Sequence, residues 1–173
     1  MQRRILCFGD SNTWGVIPRW EASPLPSERY DEHTRWPCVM ADCLNRSQSD
    51  DSWTLIEEGL GGRTTMYHPE SGETYRLGDA YLHPCLLSHR PLDYVVLMLG
   101  TNDCKTVFGA SADVIGKGIS RLLDQIQEYA PKAEVLLISP IYLGKKVWQE
   151  EYDQEFSRES VTVSRNLQPV YEK

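Results

Sequence analysis

Three short stretches of this sequence hold residues whose types suit acyl chemistry. Residues 3–15, Arg-Arg-Ile-Leu-Cys-Phe-Gly-Asp-Ser-Asn-Thr-Trp-Gly, run from a short apolar strand at 5–8 into a glycine turn that presents Ser11. A hydroxyl becomes a useful nucleophile only when one group removes its proton and others receive the negative charge that its attack creates. Donors for that charge are at hand. Gly59, Gly61 and Gly62 stand in Glu-Gly-Leu-Gly-Gly-Arg-Thr at 58–64, and Asn102 stands in Gly-Thr-Asn-Asp at 100–103. The chemistry then makes Ser11 the nucleophile, with the backbone N–H groups of Ser11 and Gly62 and the side-chain amide of Asn102 around the oxyanion. Glycine suits position 62 because no side chain blocks the approach of substrate to the backbone, and Gly61 is a one-residue alternative. Blander readings stand beside these: a serine capping a helix, glycines in turns that need positive φ, and an asparagine closing its own turn.

The elements that must carry these residues alternate along the chain. A long loop at 16–35 with Trp20, Tyr30 and His33 follows the first strand, and Trp36-Pro37 opens a helix to about Arg46. A second strand is expected at 53–57. A helical segment at 77–90 follows, interrupted or restarted at Pro84, with Leu82, Cys85, Leu86 and His89 inward. The apolar run at 94–99 lacks alternation, which is how a strand covered on both faces reads, so it belongs at the centre of a sheet. Ser111 caps a long helix that ends at Ala130-Pro131, a fourth strand is expected at 135–139, and an aromatic loop occupies 140–150. A last helix is expected from 151 onward, with Pro169 near its end or kinking it. Strands alternating with helices imply one α/β domain over 1–173, a three-layer α/β/α sandwich around a parallel sheet with right-handed crossovers. Ligands gather outside the carboxyl ends of such strands, and Ser11, Gly62 and Asn102 each follow a different strand.

Composition narrows the classes. A net charge of -7 and an isoelectric point near 5.1 argue against nucleic acid as a partner. The longest apolar run is far below the roughly 20 residues that span a membrane, and the amino terminus lacks a signal-peptide core, so a cytoplasmic setting is expected. Five scattered cysteines read as reduced, mostly buried thiols rather than a disulfide framework. Cys38 and Cys43 lack a second pair at zinc spacing, and neither a metal nor another cofactor is expected. The glycine-rich run lacks the Gly-Lys-Ser/Thr of a phosphate loop, and Thr13 stands where a Gly-x-Ser-x-Gly elbow would need glycine. Arg63 with Glu57 or Glu58 reads as an ion pair.

Gly-Asp-Ser at 9–11, glycine at 62 and Gly-Thr-Asn-Asp at 100–103 together resemble the first three blocks of the SGNH (GDSL-type) hydrolases. Arg-Ile-Leu-Cys-Phe-Gly-Asp-Ser, Glu-Glu-Gly-Leu and Met-Leu-Gly-Thr-Asn-Asp are most similar to the arylesterase and acyltransferase branch. The resemblance covers the chain to about residue 140. It implies hydrolysis of small carboxylic esters through an acyl-Ser11 intermediate, with acyl transfer to alcohols as a companion activity. It also implies an acyl pocket beside Asn12, Trp14 and Lys105, and substrate-side placement of Asp10, although Asp10 and Asp103 read equally as turn braces. The partners expected are a small ester and, because the related branch forms oligomers, further copies of the chain, with the loops at 16–35 and 140–150 as the places to look.

The family's fourth block, Asp-x-x-His after a fifth strand, is absent from this sequence. His33, His68, His83 and His89 are its four imidazoles, and none stands in such a block. Three expectations follow: a shortened form of a longer hydrolase lacking its last strand, a pseudo-hydrolase that binds an acylated ligand, or a histidine arriving from a neighbouring chain.

Overall fold

The computed structural model describes residues 1–18, 28–47, 50–68, 72 and 74–173, so the middle of the loop at 16–35, with Trp20, lies outside the described residues. Strands β1 (Gln2–Gly9), β2 (Ser52–Gly59), β3 (Tyr94–Met98) and β4 (Glu134–Leu137) form one parallel sheet in the order β2-β1-β3-β4. Helices α1 (Ser11–Trp14), α2 (Trp36–Arg46), α3 (Gly78–Ser88), α4 (Ala112–Tyr129) and α5 (Arg158–Tyr171) connect and cover it. This is the α/β class expected, with the flavodoxin-like strand order.

Alternation along the strands sorts the two faces. Leu6 and Phe8 of β1 and Val95 and Leu97 of β3 pack with Leu82 and Leu86 of α3 and Ile119, Leu122 and Ile126 of α4. On the other face Ile5, Cys7 and Val96 meet Trp36, Met40 and Leu44 of α2. β3 is therefore covered on both sides, as its unbroken apolar run requires. α5 lies against α4 through Leu167 and Ile115. Each fully buried Leu or Ile contributes roughly 1.5–3 kcal/mol relative to exposure.

Several boundaries differ from the expected ones, each for a local reason. β1 begins at Gln2 rather than Ile5, because Asp51 receives the Arg3 guanidinium at 3.3 Å and Asp93 accepts the Arg4 N–H at 2.8 Å. β2 extends through Gly59. α3 runs unbroken through Pro84, since Leu82, Cys85 and Leu86 are buried there and their packing outweighs one missing N–H donor. The last helix starts at Arg158, not 151, because Ser157 and Ser160 cap one another's backbone N–H groups. Pro169 sits in its final turn. β4 pairs with β3 alone among the described residues, and Val135 and Leu136 on it are exposed.

The sheet's carboxyl edge is level. Gly9 stands in register with Gly59 on one side and Met98 on the other, so three chain segments leave the sheet from one row. The short α1 rests directly on this edge. A Cβ built on Gly59 would lie 2.2 Å from the Trp14 nitrogen, so only glycine allows α1 to approach.

A buried carboxylate stitches two of the segments beyond the edge. Asp103 is fully buried; it accepts the Thr65 N–H at 2.9 Å and the Thr65 hydroxyl at 2.6 Å. Burial pushes its carboxyl up to about 6, against the pull of the Thr65 bonds.

Gly59→Ala is expected to cost about 1–3 kcal/mol through overpacking against α1. The reading is a lower urea midpoint at unchanged slope, and an unmoved midpoint would remove the close-approach argument. For Asp103 the sign follows from its raised value. Between about pH 4, the ordinary carboxyl range, and about pH 6 the folded state holds a proton that the unfolded chain has released, so stability contributed by Asp103 falls as pH rises through that window and is flat above it. Asp103→Asn keeps an acceptor for Thr65 and cannot titrate. The difference in urea midpoint between wild type and this variant should therefore vary between pH 4 and 6 and stop varying above, and a constant difference would contradict the assignment.

Candidate active site

Ser11 is the first residue of α1, and Asp10 is its N-cap. The Asp10 carboxylate accepts the Asn12 backbone N–H at 2.9 Å and the Asn12 side-chain amide at 3.1 Å, which folds the chain sharply after β1. The same amide reaches the Thr101 hydroxyl at 3.4 Å, tying this turn to the segment after β3. Asp10 is wholly buried, and burial raises its carboxyl above the usual range while the Asn12 bonds pull it back. The Ser11 side chain is partly exposed, and its hydroxyl has no hydrogen-bond partner among the described residues.

The second segment closes a turn from Leu60 to Arg63, whose N–H donates to the Leu60 carbonyl at 3.2 Å. Gly62 occupies the third position with φ of 75°, the left-handed geometry a type II turn demands there. Gly61 has open space around it, so the two glycines are not equivalent. Asn102 opens a 3-10 turn after β3 and is buried. Its side-chain amide does not close its own turn but donates to the Arg63 carbonyl at 3.1 Å, leaving its second hydrogen for another acceptor. Ser11 and Asn102 follow β1 and β3, the adjacent strands at which the order of the sheet reverses. That is where open α/β sheets bind ligands.

Arg63 departs from the expected ion pair. The residue is 2% exposed, and its guanidinium donates through Nη1 to the carbonyls of Gly9, at 3.0 Å, and Glu58. It also lies over the rings of Phe8 at 4.2 Å and Tyr81 at 5.0 Å. Glu57 pairs instead with Arg29 and Arg35, each at 2.9 Å, and this anchors the foot of the loop at 16–35. Arg29 also donates to the Trp14 carbonyl at 2.6 Å, and its guanidinium lies 5.4 Å from the Trp14 ring. Trp14 is partly buried under that foot. Lys105 is held by Glu155 at 2.5 Å. A cavity of about 420 Å³ beside it is lined also by Cys104, Ser111, Ser157 and Val163, and not by Ser11, Gly62 or Asn102.

The histidines have other settings. His33 and His68 are exposed, His83 stacks on Tyr129 with ring centres 3.8 Å apart, and His89 places Nε2 2.9 Å from a Glu58 carboxylate oxygen. Glu58, Cys85 and His89 offer ligand-type atoms within 4.8 Å of one another. Arg63 already supplies positive charge to Glu58 and Cys85, so a metal ion there would face a buried like charge. Sequence reasoning missed Thr65 and Thr101 as ties between segments. The signal lay in their partners, since a buried Asp or Asn after a strand needs donors or acceptors from a neighbouring segment. No helix among the described residues is long and apolar enough to cross a membrane.

The chain matches the model of the GDSL-like lipase/acylhydrolase family over residues 7–168. It is 36% identical to the native aryl esterase of M. Smegmatis, with a TM-score of 0.84 over 98% of this chain and 78% of that one. Est24, a carbohydrate acetylesterase from Sinorhizobium meliloti, is similar at 36% identity and a TM-score of 0.81, over 98% of this chain and 78% of that one. AlinE4, an SGNH-hydrolase family esterase, shares the fold at 19% identity and a TM-score of 0.60, over 99% of this chain and 70% of that one. Comparison with curated proteins finds no match. With its level sheet edge, its strand-end serine and asparagine and these likenesses, the chain belongs to the GDSL-like lipase/acylhydrolase family, the SGNH hydrolases.

Proposed function

We propose that this protein is a serine esterase that hydrolyses small aryl or alkyl carboxylic esters through an acyl-Ser11 intermediate, with acyl transfer to alcohols as a second outcome of the same intermediate. The observation that carries the reading is the Asn102 amide, buried beside the Ser11 turn with one hydrogen on the Arg63 carbonyl and one left over. In the proposed reaction Ser11 Oγ attacks the ester carbonyl. The oxyanion is held by the Ser11 and Gly62 N–H groups and the second Asn102 hydrogen; it collapses as the ester C–O bond breaks, and the alcohol leaves with the proton given up by the Ser11 hydroxyl. Water or a second alcohol then attacks the acyl-enzyme. An aryl esterase and a carbohydrate acetylesterase among the similar structures support small acyl groups as substrates. No cofactor enters this mechanism. Asp10 and Asn12 would shape the turn under the acyl group, and Trp14 would form a wall of the pocket. Lys105, held by Glu155, would border it. Five free thiols support a cytoplasmic setting.

A second reading is favoured by one observation: none of the four histidines has a hydrogen bond to Ser11 among the described residues. On that reading the protein binds an acylated ligand through the same donors without turning it over. The two readings separate on 4-nitrophenyl acetate. Ser11-dependent release of nitrophenol, with a burst equal to the enzyme concentration, is expected for the esterase. Ser11→Ala should abolish it and Asn102→Ala should lower kcat by about 10²–10³-fold. Equal rates for wild type and Ser11→Ala would sink the serine mechanism and leave the binding reading.

A further inference from the structure

We propose that Arg63 is the positioning residue of the oxyanion site, setting the relative placement of the Ser11 turn, the Gly62 N–H and the Asn102 amide through bonds to all three segments. The inference rests on the esterase reading and deepens it. At the row of Gly9 and Gly59 the strand ladder ends, and a backbone carbonyl there has a second lone pair open to a side-chain donor. The Gly9 carbonyl, the last before Asp10 and Ser11, accepts from the Leu60 N–H at 3.1 Å and from Arg63 Nη1 at 3.0 Å. The other hydrogen of Nη1 goes to the Glu58 carbonyl on the neighbouring strand. The backbone of the same residue completes the set. Its N–H closes the turn that holds Gly62 at positive φ, and its carbonyl takes the Asn102 amide at 3.1 Å.

Stability alone does not call for a charge here. Burying a guanidinium is costly, and an apolar side chain of like volume commonly replaces a buried ion at no loss. The Arg63 Nε is buried without a partner, and burial lowers the group's affinity for its proton, opposed chiefly by Glu58. The Phe8 and Tyr81 rings flank it, and methionine would pack against them as well. What methionine lacks is two hydrogens aimed at two carbonyls on different strands. A misplacement of about 1 Å at reacting groups costs on the order of 10²-fold in rate, so a residue that fixes three segments acts on turnover rather than on substrate affinity.

The test compares Arg63→Met and Arg63→Lys with wild type, after urea unfolding has shown each to be folded. With 4-nitrophenyl acetate, Arg63→Met should lose about 10²-fold in kcat with KM within about twofold, and Arg63→Lys, which reaches one carbonyl, should recover part of the loss. The Asn102 side-chain amide pair, identified in a ¹⁵N–¹H spectrum by its disappearance in Asn102→Ala, should shift in both variants. A folded Arg63→Met with wild-type kcat and an unmoved Asn102 pair would overturn the proposal, as would a raised KM at unchanged kcat. If wild type shows no Ser11-dependent turnover, the esterase reading falls and the Asn102 pair decides the positioning role alone: movement supports it, no movement overturns it. If Arg63→Met does not fold, Arg63→Lys decides by the same criteria.

Discussion

The structure depends on how the carboxyl edge of the sheet is finished. A parallel ladder satisfies its backbone groups only as far as its strands run, and the carbonyls of Gly9 and Glu58 lie where β1 and β2 give out. The Gly9 carbonyl still takes the Leu60 N–H there, and buried Arg63 adds a second donor to it and one to the Glu58 carbonyl. The turns that follow β1, β2 and β3 meet at these bonds, since the Arg63 N–H closes the second turn on the Leu60 carbonyl and its carbonyl accepts the Asn102 amide.

Around it the stitching is redundant and made of buried polar pairs. Asp10 builds the serine turn with Asn12, Asn12 reaches Thr101, and Asp103 reaches across to Thr65. Each bond joins segments at least a strand and a helix apart in sequence, apart from the Asp10 turn itself. Networks of this sort hold geometry well when every member is satisfied, because in a low-dielectric interior a broken bond leaves a costly orphan. Burial raises the Asp103 carboxyl to about 6 even with its Thr65 bonds pulling it down, so those bonds offset only part of the desolvation. Outside the edge the sheet is ordinary: two apolar faces, α3 and α4 on one and α2 on the other.

The chemistry and its supports are divided between exposed and buried groups. Ser11 is partly open and its hydroxyl unengaged among the described residues, whereas Asn102, Asp103 and Arg63 are buried. On the proposed reading such a division would keep the Ser11 hydroxyl available while its surroundings stay rigid. The loop at 16–35 is fastened at its foot by Arg29 and Arg35 on Glu57, against Trp14. Its role is thus tied to α1, whose position is set by the close contact at Gly59.

Much of this was legible in the chain itself. The unbroken apolar run of β3 called for the middle of a sheet, the spacing of Trp36, Met40 and Leu44 called for α2, and a serine, a glycine and an asparagine after three strands called for one shared rim. Those features are local or periodic, and strand and helix periods write them directly into the order of residues. Tertiary structure alone decided the rest. It carried α3 through Pro84, turned Asn102 toward Arg63 rather than into its own turn, and paired Glu57 with Arg29 and Arg35 rather than with Arg63. These outcomes depend on which donor meets which acceptor, across 22 residues for Arg35 with Glu57 and 39 for Asn102 with Arg63, or on whether packing outweighs a lost hydrogen bond. Composition and spacing carry no record of such competition, because it is settled only when the segments meet at the sheet's edge.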